Sequence, residues 1–318
     1  MNIKIWGSRG SLPISVTADE VRYKIKEALA IACKEQICKG ADVDKFIDEK
    51  LPFYVWGSYG SNTSCVEIDD GSDEYFICDA GSGIRDLAVD IIENKRKKNR
   101  IFNLFISHLH WDHIQGFPFF LPAYSKDSVI NIYGFHDTLE ESFFYQQNTN
   151  NFPVQLNQLS AQINFKKLKP DQQYDISGFK FSAIKQEHPG DSYGFRFEKN
   201  DKIFIYSTDA EHGEESEKAN YAFIDFFKNA DLLIFDAQYR YQEAMNEKKN
   251  WGHSSNIVGV ELAERAGVKR LCLFHNEPGY NDKVLFEVHK ESERYLKHFS
   301  PGSKMQIYIA YDGYNIEL

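Results

Sequence analysis

The stretch Ser107 to Gly116, SHLHWDHIQG, holds three imidazoles and a carboxylate: His108, His110, Asp112 and His113. It follows directly on the apolar run NLFI, which has the character of a buried strand. Where a strand ends the chain can turn, so that residues two apart aim at one centre and their neighbours at a second. Imidazole nitrogen and carboxylate oxygen suit borderline divalent ions such as zinc, manganese or iron. A single histidine is ordinarily a surface or core residue, but four such side chains in one turn point to metal. The expected chemistry is hydrolysis, because divalent ions activate water near neutral pH.

This motif resembles the signature of the metallo-β-lactamase superfamily, His-x-His-x-Asp-His after a strand, and every position of it is matched. The resemblance implies an α/β fold, a four-layer αββα sandwich with helical insertions and a dinuclear site on its edge. It also implies further ligands downstream: a histidine at a strand end, an aspartate bridging both metals, and a final histidine. His188 in QEHPG, Asp209 in IYSTDAEH and His275 in LCLFHNEP occur in that order. The implied assignment puts His108, His110 and His188 on one ion, Asp112, His113 and His275 on the other, and Asp209 between them. Two divalent metal ions are thus the implied cofactors, zinc first, with manganese or iron as alternatives. Upstream, YFICDAGSG resembles the superfamily's Asp-x-Gly turn, in which Asp79 would prop the ligand loop rather than bind metal. A carboxylate in that position orients imidazoles and tunes their basicity.

Two divalent ions about 3.5 to 4 Å apart can share a hydroxide and clamp an ester during in-line attack. Antibiotic-cleaving relatives carry Cys at the bridging position, and flavodiiron oxidoreductases carry Glu at the second His of the motif. Asp209 and His110 depart from both patterns, which leaves phosphodiesterases, thioesterases and lactonases. Trp251 to Ser255, WGHSS, resembles the Gly-His-Ser-Thr segment of the ribonuclease Z and phosphodiesterase branch. There the histidine donates a proton to the leaving alkoxide and an upstream acid orients it. His253 fits the first role, or it could sit as a neighbour of a helix N-cap. Asp236 in LLIFDAQY fits the second, standing where ribonuclease Z has Glu. The expected catalytic set is Asp112, His253 and Asp236.

The runs YGSNTSCV, DAGSGIR, HLHWDHIQGFPFF, WGHSS and LFHNEPGYND are similar to the bacterial cyclic-phosphodiesterase-like group. That resemblance covers residues 1 to 12 and most of 54 to 290. It implies a small phosphodiester substrate, a cyclic nucleotide or a related phosphate. Asn62 and Thr63 either meet the substrate or shape a strand turn. Ser82 lies among the N–H groups of residues 81 to 83, which open a helix and could greet an anion. Phe117, Phe119 and Phe120 either stack a base or belong to the core. Three other readings compete: a tRNA 3′-processing endonuclease, a thioesterase or lactonase, and a silent relative that only binds a ligand. The silent relative would have lost ligands, and here all seven positions are filled.

The elements that must position these residues are short apolar runs: Ile3 to Trp6, Cys65 to Ile68, Tyr75 to Cys78, Leu104 to Ile106, Val129 to Tyr133, Phe179 to Ile184, Ile203 to Tyr206, Leu232 to Phe235, Leu271 to Phe274 and Ile307 to Ile309. All read as buried strands. Ile84, Leu87, Ala88, Ile91 and Ile92 recur at helical spacing before the basic run Lys95 to Arg100, a placement that suits a helix C-terminus. A second helix spans Ser255 to Ala266, stopped by Gly267, and a third starts at Asn281 or Asp282. Two segments read as insertions within one domain spanning 1 to 318. Residues 18 to 50 carry a helical stripe (Val21, Ile25, Ala28, Leu29, Ala32) that could cover the site or form a dimer surface. Residues 136 to 160 are rich in Phe, Gln and Asn without a clear period. The near-identical hexapeptides WGSRGS (6 to 11) and WGSYGS (56 to 61) read as chance use of Gly and Ser at strand ends.

Charge bounds the partners. The 318 residues carry 37 Lys and Arg against 47 Asp and Glu, a formal charge of −10. Gripping a long nucleic acid runs on clustered Lys and Arg, so none is expected as a partner. The segment 136 to 160, with His136 as its one basic side chain, supplies no arm for tRNA. No leader or membrane span is evident, which makes a cytoplasmic protein the expectation. Of the cysteines, Cys65, Cys78 and Cys272 lie in strand-like runs and read as reduced core thiols. Cys33 and Cys38 lack a second pair for a zinc finger.

Overall fold

Phe105, within the run NLFI, turns into the space between two sheets, whereas Phe102 and Leu104 of the same strand face helices outside it. Burial on both faces is why these strands read as unbroken apolar runs. The computed structural model describes residues 1–37, 42–94 and 96–318. The expectations that touch Cys38 and Lys95 fall outside the described residues.

Among the described residues, fourteen strands make two seven-stranded sheets. The first contains β1 (Asn2–Gly7), β2 (Cys65–Asp69), β3 (Tyr75–Cys78), β4 (Ile101–Phe105), β5 (Val129–Gly134) and β6 (Gln162–Lys167). The second contains β7 (Gln173–Ile176), β8 (Phe179–Gln186), β9 (Ser192–Lys199), β10 (Lys202–Ser207), β11 (Leu232–Asp236), β12 (Arg270–Phe274) and β13 (Gln306–Ile309). The last strand, β14 (Asn315–Glu317), returns to the first sheet and pairs with β1. Their orders are β14-β1-β2-β3-β4-β5-β6 and β13-β12-β11-β10-β9-β8-β7. In each sheet four strands run parallel, β3 to β6 and β10 to β13, and the rest antiparallel.

The helices are α1 (Ala18–Lys34), α2 (Val43–Lys50), α3 (Phe53–Trp56), α4 (Ile84–Asn94), α5 (Trp111–Ile114), α6 (Leu139–Gln146), α7 (Ala222–Phe227), α8 (Tyr241–Met245), α9 (Asn256–Arg265) and α10 (Asp282–Phe299). Between the sheets lies an aromatic core in which Phe105, Phe181, Phe195 and Phe197 contact one another. Full burial of each such ring contributes about 1.5–3 kcal/mol. Helix α4 covers the outer face of the first sheet with Ile84, Leu87, Ala88 and Ile91. Helices α7, α9 and α10 cover the second. The fold is the αββα sandwich of an α/β protein.

Every apolar run read as a strand falls on one, the run Leu104 to Ile106 reaching one residue past the end of β4. The runs that were missed, β6, β7, β9 and β14, carry polar residues on one side: in β9, Tyr193, Phe195 and Phe197 point to the core while Arg196 and Glu198 pair with each other. Ser255 and Asn281 cap α9 and α10 through their side chains. Residues 136 to 160, which show no period, nonetheless hold α6. Its apolar contacts come from Leu139 and Phe143, too few for a stripe.

Helix α1 begins in a capping box at Thr17 and Glu20, yet buries none of its stripe; Leu29 is 60% exposed. Lys24 instead ties it down, donating to the carbonyls of Tyr54 and Gly57 and to Asp282 Oδ2 at 2.6–2.8 Å. The two hexapeptides are spatial neighbours: Ser8 Oγ donates to Tyr59 O and Arg9 Nε to Gly60 O, both at 2.9 Å. Their glycines therefore have a packing reason. A side chain on Gly7 would meet Thr63 O, and one on Gly60 would meet Asp312 and Ser8 Oγ. Cys65, Cys78 and Cys272 are buried free thiols, while Cys33 is exposed. No helix among the described residues is long and apolar enough to cross a membrane.

Candidate metal centre

The C-terminal ends of β3, β4, β8, β10, β11 and β12 converge, and each delivers a residue singled out above: Asp79, His108, His188, Asp209, Asp236 and His275. His110, Asp112 and His113 come from the short helix α5 and the residue before it. Asp79, Asp209 and His275 have φ of 60°, 49° and 62°, a left-handed backbone that Asp and His tolerate better than most residues. Such strained corners persist where the surrounding structure over-determines them.

Two groups of side chains hold the seven expected ligands. One is His108, His110 and His188; the other is Asp112, His113, Asp209 and His275, with all offered atoms in each group within 4.8 Å of one another. Asp209 joins the groups by splitting its oxygens between them. Oδ1 lies 3.1 Å from His113 Nε2 and 3.3 Å from His275 Nε2; Oδ2 lies 3.6 Å from His108 Nε2 and 3.7 Å from His188 Nε2. Asp112 Oδ2 stands 3.2 Å from His113 Nε2 and 3.1 Å from His275 Nε2, and also accepts the Ser11 N–H.

The imidazoles are held from behind. His113 Nδ1 donates to Asp79 Oδ2 at 2.7 Å, His188 Nδ1 to Gly252 O at 2.7 Å, and His275 Nδ1 to Gln238 Oε1 at 3.0 Å. His108 Nδ1 pairs with Ser107 Oγ at 3.1 Å, which in turn donates to Asp79. Each of these rings turns Nε2 inward, His188 Nε2 to within 3.1 Å of His110 Nδ1 and His275 Nε2 to within 3.1 Å of Asp112 Oδ2, while, against its burial, Asp209, Asp112 and Asp79 together hold the pKa of His113 well up. His108 Nε2 and His113 Nε2 are buried without any hydrogen-bond partner, a costly arrangement unless something accepts those lone pairs. Burial, and then the neighbouring imidazoles, push the pKa of His108 well down; burial and His188 do the same to His110. Burial likewise lowers His188. The three rings are neutral donors, as a cation needs. The donor set fits divalent metal.

Beside it, His253 Nδ1 donates to Asp236 Oδ2 at 2.8 Å, and its ring stacks on His275. Asp236 is fully buried and also accepts from the backbone of Ala210 and Gln238. Burial opposes the charged imidazolium of His253, yet Asp236, then Asp209 and Asp112, hold its pKa up at about 9. His253 also comes within 4.8 Å of two further sets of donors, His188 with Asp209 and Asp236 with His275, so it stands at the rim of both ligand groups.

A match to the β-lactamase superfamily domain spans residues 74–276. The chain belongs to the metallo-β-lactamase superfamily. It is a metal-dependent hydrolase, and its sequence is 25% identical over 262 residues to ribonuclease Z of Thermoplasma volcanium, covering 68% of this chain and 81% of that one. Ribonuclease BN of Escherichia coli O1:K1 is 25% identical over 258 residues, 65% and 80% of the two chains. Among solved structures, the metallo-β-lactamase fold protein YhfI of Bacillus subtilis superposes with a TM-score of 0.66 at 18% identity, covering 100% of this chain and 98% of that one.

The candidate substrate-binding residues are tied into the turns beside the centre. Asn62, Thr63 and Ser82 are linked to one another and to their neighbours: Ser82 Oγ donates to Asn62 Oδ1, the Thr63 N–H to Ser82 Oγ, and the Ser82 N–H to Thr63 Oγ1, while Asn62 Nδ2 donates to Asp86 and Gln115 to Thr63 Oγ1. The N–H groups of Gly81 and Gly83 go to the carbonyls of Ser64 and Thr63. This knot shapes the turn and leaves those donors occupied. Phe117 and Phe120 are core; Phe119 is not. His212, a tempting neighbour of Asp209 in sequence, packs on Phe235 and pairs with Tyr221; burial pushes its pKa down to about 4.

Sequence reasoning missed Gln238, Tyr206 and Gly10. Tyr206 donates to Asp79 Oδ2 at 2.7 Å, and a Cβ on Gly10 would stand 2.6 Å from the His275 ring. No local pattern marks them, because each acts across the fold. Gln238→Ala is expected to weaken divalent-metal binding by about 10–100-fold, as loss of a ligand's supporting partner does. Competition with a chromophoric chelator measures this, and an unchanged affinity would remove the orienting role.

Proposed function

We propose that this hydrolase cleaves a phosphodiester bond in a small nucleotide, cyclic or related to a cyclic one. The observation that carries the reading is the Asp236–His253 pair set beside the split carboxylate of Asp209. His108, His110 and His188 would hold one divalent ion, Asp112, His113 and His275 a second, with one Asp209 oxygen for each; zinc is the first choice, manganese or iron the alternatives. Bound there, such ions supply activated water and polarise a phosphoryl oxygen.

The chain's own residues do the rest. Asp236 fixes the His253 tautomer with the proton on Nδ1, and its charge keeps the imidazolium available at neutral pH. The remaining ring nitrogen, Nε2, gives its proton to the departing alkoxide, a step that thioester cleavage, with its weakly basic thiolate leaving group, needs far less. Asp79, Gln238 and the Gly252 carbonyl keep the imidazoles aimed while this happens.

The names ribonuclease Z and ribonuclease BN support phosphodiester chemistry, and they keep tRNA 3′-processing as a second reading. The charge of −10 favours the small substrate, since phosphate-rich polymers are held by clustered cations. The purified, metal-loaded protein is expected to hydrolyse bis(p-nitrophenyl) phosphate and at least one member of a cyclic-nucleotide panel. Turnover confined to thioester or lactone substrates would overturn the proposal, and cleavage confined to 3′-extended tRNA would replace the small substrate by the polymer.

A further inference from the structure

Next to the ligand loop lies an open cleft of about 800 Å³, within the size range of small-molecule sites. One wall is the loop itself. Leu109 and Trp111, which alternate along the chain with His108, His110 and Asp112, line it together with Phe119. The opposite wall is built by residues 138–152, from α6 and the turn after it, including Tyr145 and Phe152. Trp111 is 77%, Tyr145 71% and Phe119 53% exposed, unusual for large rings gathered around one cleft. Phe119 and Phe152 meet edge to face with centroids 5.5 Å apart. Gln146 pins the walls together, its Nε2 donating to Ile114 O at 2.9 Å, and leaves its Oε1 without a partner.

The lining contains no lysine or arginine, and Glu141 is its one charged residue. Such a cleft repels phosphate, yet it offers flat rings for stacking and amides for hydrogen bonding. A nucleobase has that complementary chemistry: an uncharged π-face and a polar edge. We propose that the cleft binds the base of the substrate while the adjoining metal centre takes its phosphate, so that the segment 136–160 is a specificity element. This rests on the small-nucleotide reading given above, and it deepens that reading by assigning the base a place.

Stacking on an aromatic side chain is worth about 1–3 kcal/mol per base, so alanine at one ring should cost about tenfold or more. The metal-loaded protein and its Phe119→Ala and Tyr145→Ala variants, both altered at exposed positions, are assayed on a cyclic nucleotide and on the matching ribose cyclic phosphate without a base. The expected result is a fall of about tenfold in the ratio of their kcat/KM values, carried by KM. Separately, free nucleosides should quench Trp111 fluorescence saturably, with Trp111→Phe identifying the signal among the four tryptophans, and the quench should weaken in both alanine variants. An unchanged ratio, or no saturable quench by any of the four nucleosides, overturns the base site even if phosphodiesters are hydrolysed. Saturable nucleoside binding in a protein that hydrolyses no phosphodiester sustains the base site and overturns only the reaction.

Discussion

Replacing Asp209 with alanine is expected to lower hydrolysis by about 10³-fold or more and to drop bound divalent metal below two ions per chain. The carboxylate is 2% exposed and reaches four imidazole nitrogens, two through each oxygen, at 3.1–3.7 Å. Without it, Asp112 is the one carboxylate left among the proposed ligands, and two dications would face each other with little between them. Charge repulsion at such separations is large in a low-dielectric site, so one ion should be lost. A few kilocalories of lost transition-state stabilisation then give the rate effect, at about 1.4 kcal/mol per factor of ten. Elemental analysis after dialysis, alongside turnover, checks both parts. Retention of two ions per chain at wild-type turnover would remove Asp209 from its bridging role. Asp209→Asn keeps the shape without the charge and should fall between the two.

The second large effect is at His253. Alanine there is expected to reduce turnover on a cyclic nucleotide by about 10²–10⁴-fold, the usual contribution of a positioned acid, with metal content unchanged. The ring packs on His275 and His188, but its Nδ1 hydrogen bond goes to Asp236, which is not a proposed ligand. A proton donor matters in proportion to the basicity of the leaving group. The loss should therefore be much smaller on bis(p-nitrophenyl) phosphate, whose p-nitrophenolate departs unaided. Equal losses on both substrates, or loss of metal, would show His253 acting as a ligand or a structural part instead. Asp236→Asn should reproduce the leaving-group pattern, because an amide N–H facing Nδ1 reverses the tautomer and removes the charge that holds the imidazolium.

How much of this was legible beforehand follows from distance along the chain. The motif from His108 to His113 is readable because its ligands are packed into one turn after an apolar strand. The strands are readable because the sandwich buries both of their faces, which leaves uninterrupted apolar runs such as YFIC and LCLF. The helices that cover them announce themselves by period and cap, as α9 and α10 do. Elements with one polar side, such as β9, and an eight-residue helix with two core contacts, α6, fall below that signal.

The sequence by itself determined most strands, the capped helices and the contiguous set from His108 to His113, since these are written in local patterning; the sandwich and the downstream candidates His188, Asp209 and His275 followed from the resemblance that this motif carries. Tertiary structure alone decided what each of those groups can do. It splits the two oxygens of Asp209 between two sets of imidazoles, turns His253 onto Asp236, backs His275 with Gln238, and links Asn62, Thr63 and Ser82 to one another. It also makes a cleft wall out of a segment without period and brings two echoed hexapeptides into contact. The physical reason is common to all of these. A ring's direction and a donor's partner are set by which strand ends meet, and by the left-handed corners at Asp79, Asp209 and His275. Those are properties of the assembled sheets rather than of any short stretch of chain.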